Sequence, residues 1–203
     1  PPGVVNIVTG HGEPCGRALT GHPLVARVSF TGGPNAARHV LENVKRNFAE
    51  VSLELGGKSP FIVFEDADIE SAVNASIAGI FGATGQSCVA GSRLYLHDDI
   101  ADEFLDRMTG LARQIRMGDP LEEDTQMGPL CTTGQLEHIK AEVAHAQSQG
   151  GTVLTGGKQP DDRAQRRGDP LVTKHGVAGG EQRVEVVLAV DEGHGSGLPG
   201  WQQ

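Results

Sequence analysis

Two side chains in this sequence could do covalent chemistry where the backbone would present them. Cys88 lies in Gly85-Gln86-Ser87-Cys88-Val89-Ala90-Gly91, between glycines that let the chain turn sharply and approach a ligand. A thiol at such a turn can be exposed, with backbone N–H groups nearby to stabilise a thiolate or an oxyanion. The alternative is the common fate of a lone cysteine, a small residue filling a core. Glu54 lies in Val51-Ser52-Leu53-Glu54-Leu55, just before Gly56-Gly57. A carboxylate in an apolar strand is costly unless paired or used, and burial would raise its pKa toward that of a general base. A solvent-facing strand position, or an ion pair with Lys58, is the simpler alternative.

A third stretch, Phe30-Thr31-Gly32-Gly33-Pro34, places small residues where a strand passes into a helix N-terminus, a geometry that suits a phosphate. It contains neither GxGxxG nor a Walker lysine, so an ordinary strand–helix turn would read the same way. The histidines show no HxxxH or HExxH spacing, and His138 and His145 fall on one helix as surface residues, so no metal site is expected. Cys15 and Cys131 read as packing residues. Three cysteines with no CxxC pair make no disulfide framework and favour a reducing, cytoplasmic compartment.

The elements around these residues alternate. Val4 to Val8 is a β-branched run that predicts a buried strand, followed by a short helical stretch from Gly12 to about Thr20. Val25 to Phe30 predicts a second strand. Pro34 then opens a helix with Ala36, Val40, Leu41 and Val44 at helical spacing, and Val51 to Leu55 predicts a third strand. Crossovers of this length suit a parallel βαβ arrangement. Beyond Pro60, Phe61 to Phe64 reads as a strand buried on both faces. Asp66 or Asp68 can cap a helix carrying Ile69, Val73, Ile77 and Ile80. A strand near Arg93 to Leu96 is followed by an amphipathic helix, capped by Asp98 or Asp99 and closed by Gly118, with Phe104, Leu105 and Met108 on its inner side. A last helix with Leu136, Ile139 and Val143 inward precedes a short strand at Thr152 to Leu154. From about Asp161 large apolar residues become scarce, only Val184 to Val190 could form a strand, and the segment is expected to be loosely ordered.

Composition narrows the function classes. The chain has 203 residues, 37% of them hydrophobic, enough for one substantial core or two small domains. A net charge of −9 argues against nucleic acid or an anionic membrane as partner. No apolar run is long enough to span a bilayer, and no signal peptide is visible.

Taken together, these stretches resemble the aldehyde dehydrogenase superfamily. Glu54-Leu55-Gly56-Gly57-Lys58-Ser59-Pro60 resembles its glutamate signature. Gly85-Gln86-Ser87-Cys88 resembles its cysteine signature, with Cys88 following Glu54 at a family-like interval of 34 residues. Val4 to Gly10, Phe30 to Gly33, Gly118-Asp119-Pro120-Leu121 and Met127-Gly128-Pro129 match in the same order. The resemblance runs from residue 1 to about 157.

The resemblance implies an α/β fold, with part of a Rossmann-type cofactor domain over 1–57 and part of an α/β catalytic domain over 58–160. A non-family tail over 161–203, which a frameshift could have produced, would follow. It implies oxidation of a small-molecule aldehyde to a carboxylic acid with NAD or NADP, Cys88 acting as nucleophile and Glu54 as base. Phe30, Thr31, Gly32 and Gly33 would lie by the cofactor pyrophosphate, Gly12 and Gly16 on its adenine side, and Leu55 and Gly57 by the nicotinamide. Gly33 and Ala37 depart from the family's usual Ser and Gly. Family proteins are homo-oligomers about two and a half times this length, and their oligomerisation segment and second oxyanion donor have no counterpart here. An inactive fragment serving only as a structural or partner-binding remnant is therefore the competing expectation.

Overall fold

The computed structural model describes residues 1–158 and two further strands, Val172–Gly176 and Arg183–Val187. The chain divides between Gly56 and Gly57 into two compact units.

The first unit is a single parallel βαβ. Strand β1 (Arg27–Gly32) pairs in parallel with β2 (Glu50–Leu55), and helix α2 (Pro34–Val44) makes the crossover. Pro34 stands in the first turn, where its missing N–H costs nothing. The helix buries Ala37, Val40, Asn43 and Val44, whereas Leu41 is 48% exposed and Ala36 is also exposed. The inner face is thus rotated from the expected one, because a polar residue, Asn43, is taken inward. Its amide donates to Thr20 Oγ1 at 3.0 Å, which ties α2 to the short helix α1 (Arg17–Thr20) that continues a single turn at Gly12–Gly16.

The predicted strand at Val4 to Val8 does not form. Residues 1–11 carry no strand, and Val5 and Ile7 are 80% and 87% exposed. A strand exists only where a neighbour accepts its ladder hydrogen bonds, and among the described residues none runs beside this segment.

The second unit holds a five-stranded sheet in the order β3-β4-β7-β6-β5. Strands β3 (Pro60–Val63) and β4 (Arg93–His97) pair in parallel through helix α3 (Ile69–Phe81). The other pairs are antiparallel: β4 with β7 (Arg183–Val187), β7 with β6 (Val172–Gly176), and β6 with β5 (Thr152–Thr155). Strand β6 was not expected from the sequence; the rest of the expected loose tail lies outside the described residues. Strand β3 is at the sheet edge. Only Val63 is buried in it, while Ile62 and the following Phe64 are 59% and 63% exposed, so the expected burial on both faces does not hold.

Helix α4 (Asp98–Ala112) lays Ile100, Phe104, Leu105 and Met108 into a core shared with Ile80 of α3 and Leu94 of β4. Each such side chain contributes roughly 1.5–3 kcal/mol on burial. Asp68 caps α3 through Ser71 N–H at 2.8 Å. Helix α4 begins directly after β4, so His97 occupies its cap instead of an aspartate, with Nδ1 accepting the Asp99 N–H at 3.4 Å. Asp98 and Asp99 fall inside the first turn, where negative charge suits the helix dipole. Helix α5 (Thr133–Ser148) buries Val143 and Gln135, with Leu136 and Ile139 only half-buried.

Candidate active site

Cys88 is exposed and sits at the second position of a turn closed by Ala90 N–H donating to the Ser87 carbonyl at 3.1 Å. Just upstream, Ala83 (φ 50°), Thr84 (φ 58°) and Gly85 (φ 69°) are all left-handed. Gly85 adopts that conformation freely, but Ala83 and the β-branched Thr84 do so at a cost on the order of 1–3 kcal/mol each. Two side chains hold the run in place. Thr84 Oγ1 donates to the Gly128 carbonyl at 3.3 Å, and Gln86 Oε1 accepts the Cys131 N–H at 3.2 Å.

The two glycines flanking Cys88 do different work. Gly85 supplies backbone freedom. Gly91 gives close packing, since a Cβ there would stand 3.1 Å from Phe61 Cβ on β3. Immediately after it, the Arg93 guanidinium donates through Nε to the Lys58 carbonyl at 2.8 Å and stacks over Tyr95 with 5.8 Å to the ring centroid. The strand leaving the cysteine turn is thereby pinned to the segment entering β3.

Glu54 belongs to the first unit. It is exposed near the carboxyl end of β2, opposite Thr31 of β1 in the parallel register. Of the two sequence readings of Glu54, buried base or solvent-facing strand position, the solvent-facing one matches its exposure among the described residues.

The same register sets Gly32 opposite Leu55, so Thr31, Gly32, Glu54 and Leu55 share the carboxyl edge of the βαβ, the edge at which open α/β sheets take ligands. A Cβ on Gly32 would fall 2.7 Å from Phe30 Cζ, so the Phe30 ring lies over this glycine. Gly33 caps α2 with no side-chain hydrogen bond, leaving first-turn N–H groups of the kind a phosphate accepts from. These residues fit a dinucleotide pyrophosphate. Gly12, Gly16 and Gly57 meet nothing within 4 Å of an added Cβ, so among the described residues no packing demands glycine there.

Thr84 and the Gly128–Cys131 segment escaped the sequence reading of the site. A β-branched residue in a left-handed conformation has no local signal, since propensity argues against it. Among the described residues no cluster of His, Cys, Asp and Glu could hold a metal ion, and no helix is long and apolar enough to cross a membrane.

Known proteins share both sequence and fold with this chain over most of its length. The chain is 55% identical over 161 residues to (Z)-2-((N-methylformamido)methylene)-5-hydroxybutyrolactone dehydrogenase of Acinetobacter baylyi, covering 79% of this chain and 33% of that one. It is 46% identical to aminoaldehyde dehydrogenase 2, peroxisomal, of Pisum sativum, covering 79% and 32%. Among solved structures, PnpE in complex with nicotinamide adenine dinucleotide superposes with a TM-score of 0.76 at 46% identity, covering 81% of this chain and 34% of the other. A betaine aldehyde dehydrogenase variant from Staphylococcus aureus with NAD+ gives 0.74 at 36% identity, again over 81% and 34%. The chain thus spans about a third of the length of the relatives it matches. The profile of the aldehyde dehydrogenase family matches residues 1–175, and the chain belongs to that family.

Proposed function

We propose that this chain carries the nucleophile, the base and part of the dinucleotide site of an NAD(P)-dependent aldehyde dehydrogenase. The observation that carries this reading is an exposed Cys88 on a Ser87–Ala90 turn that follows three left-handed residues, in a chain of this family. The Cys88 thiolate attacks the aldehyde carbon and forms a thiohemiacetal whose oxyanion the Cys88 N–H holds. A dinucleotide bound here would supply the hydride acceptor, the two-electron oxidant that conversion of the Cys88 thiohemiacetal to a thioester requires. Glu54 takes a proton from the water that hydrolyses the thioester and releases the acid. Thr31, Gly32, Gly33 and the start of α2 would hold the pyrophosphate, with Phe30 beside them, while Gly12 and Gly16 would serve the adenine side and Leu55 and Gly57 the nicotinamide.

The relatives' names point to substrates that differ in their polar ends, so the test uses a panel. The purified chain is incubated with NAD+ or NADP+ and with aliphatic aldehydes, aminoaldehydes and betaine aldehyde, and absorbance of the reduced cofactor is followed. Formation that Cys88→Ala abolishes is the expected result. Failure of every aldehyde, together with Cys88 alkylation that NAD+ leaves unchanged, would sink the reading and favour an inactive remnant.

A further inference from the structure

We propose that Thr84 and Gln86 are positioning residues that lock the Cys88 turn onto the Gly128–Cys131 segment; the proposal rests on the reading of Cys88 as the nucleophile.

Both links run from a side chain beside Cys88 to a backbone group more than forty residues later. Thr84 Oγ1 reaches the Gly128 carbonyl and Gln86 Oε1 takes the Cys131 N–H. The receiving segment is itself fixed. Gly118 N–H donates to the Met127 carbonyl at 3.0 Å, Met127 N–H donates to the Arg116 carbonyl at 3.1 Å, and Met127 is 7% exposed within the core. Thr84, at 9% exposure, is buried in a conformation that its branched side chain disfavours, and such a conformation persists only where the surroundings over-determine it. The two bonds provide that constraint four and two residues before the thiol. They fix the direction in which Cys88 leaves the turn. Attack geometry at a carbonyl is sensitive to displacements of this scale, so a loosened turn lowers reactivity without emptying the site.

Alkylation of the full chain with iodoacetamide tests this, with Cys88 and Cys15 followed separately by peptide mass spectrometry. Thr84→Val removes the hydroxyl at nearly constant volume, Gln86→Leu removes the acceptor, and Thr84→Ser retains the hydroxyl. The expected result is Cys88 alkylation slowed at least about threefold in the Val and Leu variants, with Thr84→Ser unchanged and Cys15 unchanged throughout. An unaltered Cys88 rate in both variants overturns the proposal. If the thermal midpoint falls in either variant, the fold has been disturbed, and a double-mutant cycle of Gln86→Leu with Cys131→Pro, which deletes the N–H donor from the far side, decides. Coupled effects on the Cys88 rate uphold the lock and additive ones overturn it. Aldehyde oxidation that survives Cys88→Ser would refute the nucleophile reading by itself, leaving the alkylation result to judge the lock.

Discussion

Thr31 and Glu54 face each other across the parallel pair β1–β2, one residue before its carboxyl end. A residue expected to touch the cofactor and a residue expected to act as base are thus held by one ladder. Parallel register at this edge is fixed by the α2 crossover and by Gly32 opposite Leu55, so neither residue can shift without the other.

With Glu54 as the base for thioester hydrolysis, Glu54→Gln should block release of the acid and spare its formation on sulfur. Turnover is expected to fall by about two to four powers of ten, the usual worth of a positioned base. A single burst of reduced cofactor should remain, and intact-mass spectrometry should find the acyl group on Cys88. A variant that turns over normally, or that loses the burst as well, contradicts the assignment.

Gly32→Ala separates cofactor binding from folding. The new Cβ would meet the far end of the Phe30 ring, which can swing away, so the thermal midpoint should move little. The displaced ring and the added methyl then crowd the approach to the α2 N-terminus. The expected outcome is a rise of about tenfold in the KM for the dinucleotide, equal to about 1.4 kcal/mol, with the aldehyde KM unchanged. Equal changes in both KM values would place the effect elsewhere.

What was legible in the sequence was whatever depends on local pattern. Pro34, Asp68 and the spacing of Phe104, Leu105 and Met108 mark helices that form as expected, and the βαβ order of residues 25–55 is parallel. What failed depends on neighbours. Val4 to Val8 has the composition of a strand but no strand beside it, and Phe61 to Phe64 has the composition of a central strand but stands at an edge. Glu54 drew attention through an argument about burial that its exposure removes. Cys88 and its turn were legible from the glycines, yet the strain at Ala83 and Thr84 was not, because those side chains favour other conformations. Gln86 could be seen as part of a signature, but its partner Cys131 lies 45 positions away and shares no local pattern.

Asp68 gives α3 a pH-dependent cap. Hydrogen bonds from the Ser71 side chain and the Ser71 N–H hold the Asp68 carboxyl below its ordinary value. A folded-state pKa below the unfolded one contributes stability that is complete above the unfolded value, near 4, and is lost as pH falls through the folded value. Asp68→Asn keeps a capping oxygen and should hold the helix at neutral pH while removing this acid-range loss. Asp68→Ala should lower the thermal midpoint at neutral pH as well. Midpoints measured from pH 7 down to pH 3 check both; an Asn variant as acid-sensitive as the unsubstituted chain would locate the loss at other carboxylates.

Two phenylalanines of the second unit test where its stability resides. Phe104 on α4 is wholly buried among α3, β4 and α4, and Phe64 just past β3 is 63% exposed. Truncating Phe104 removes its transfer free energy and leaves a cavity that rigid neighbours such as Ile80 and Leu94 can only partly fill. Phe104→Ala should therefore cost about 3–5 kcal/mol. Phe64→Ala opens no cavity and should stay within about 0.5 kcal/mol of the starting value. Urea titration of each variant measures the difference. A comparable loss from both would mean that Phe64 is covered in solution and that the exposed face of β3 is not the face water meets.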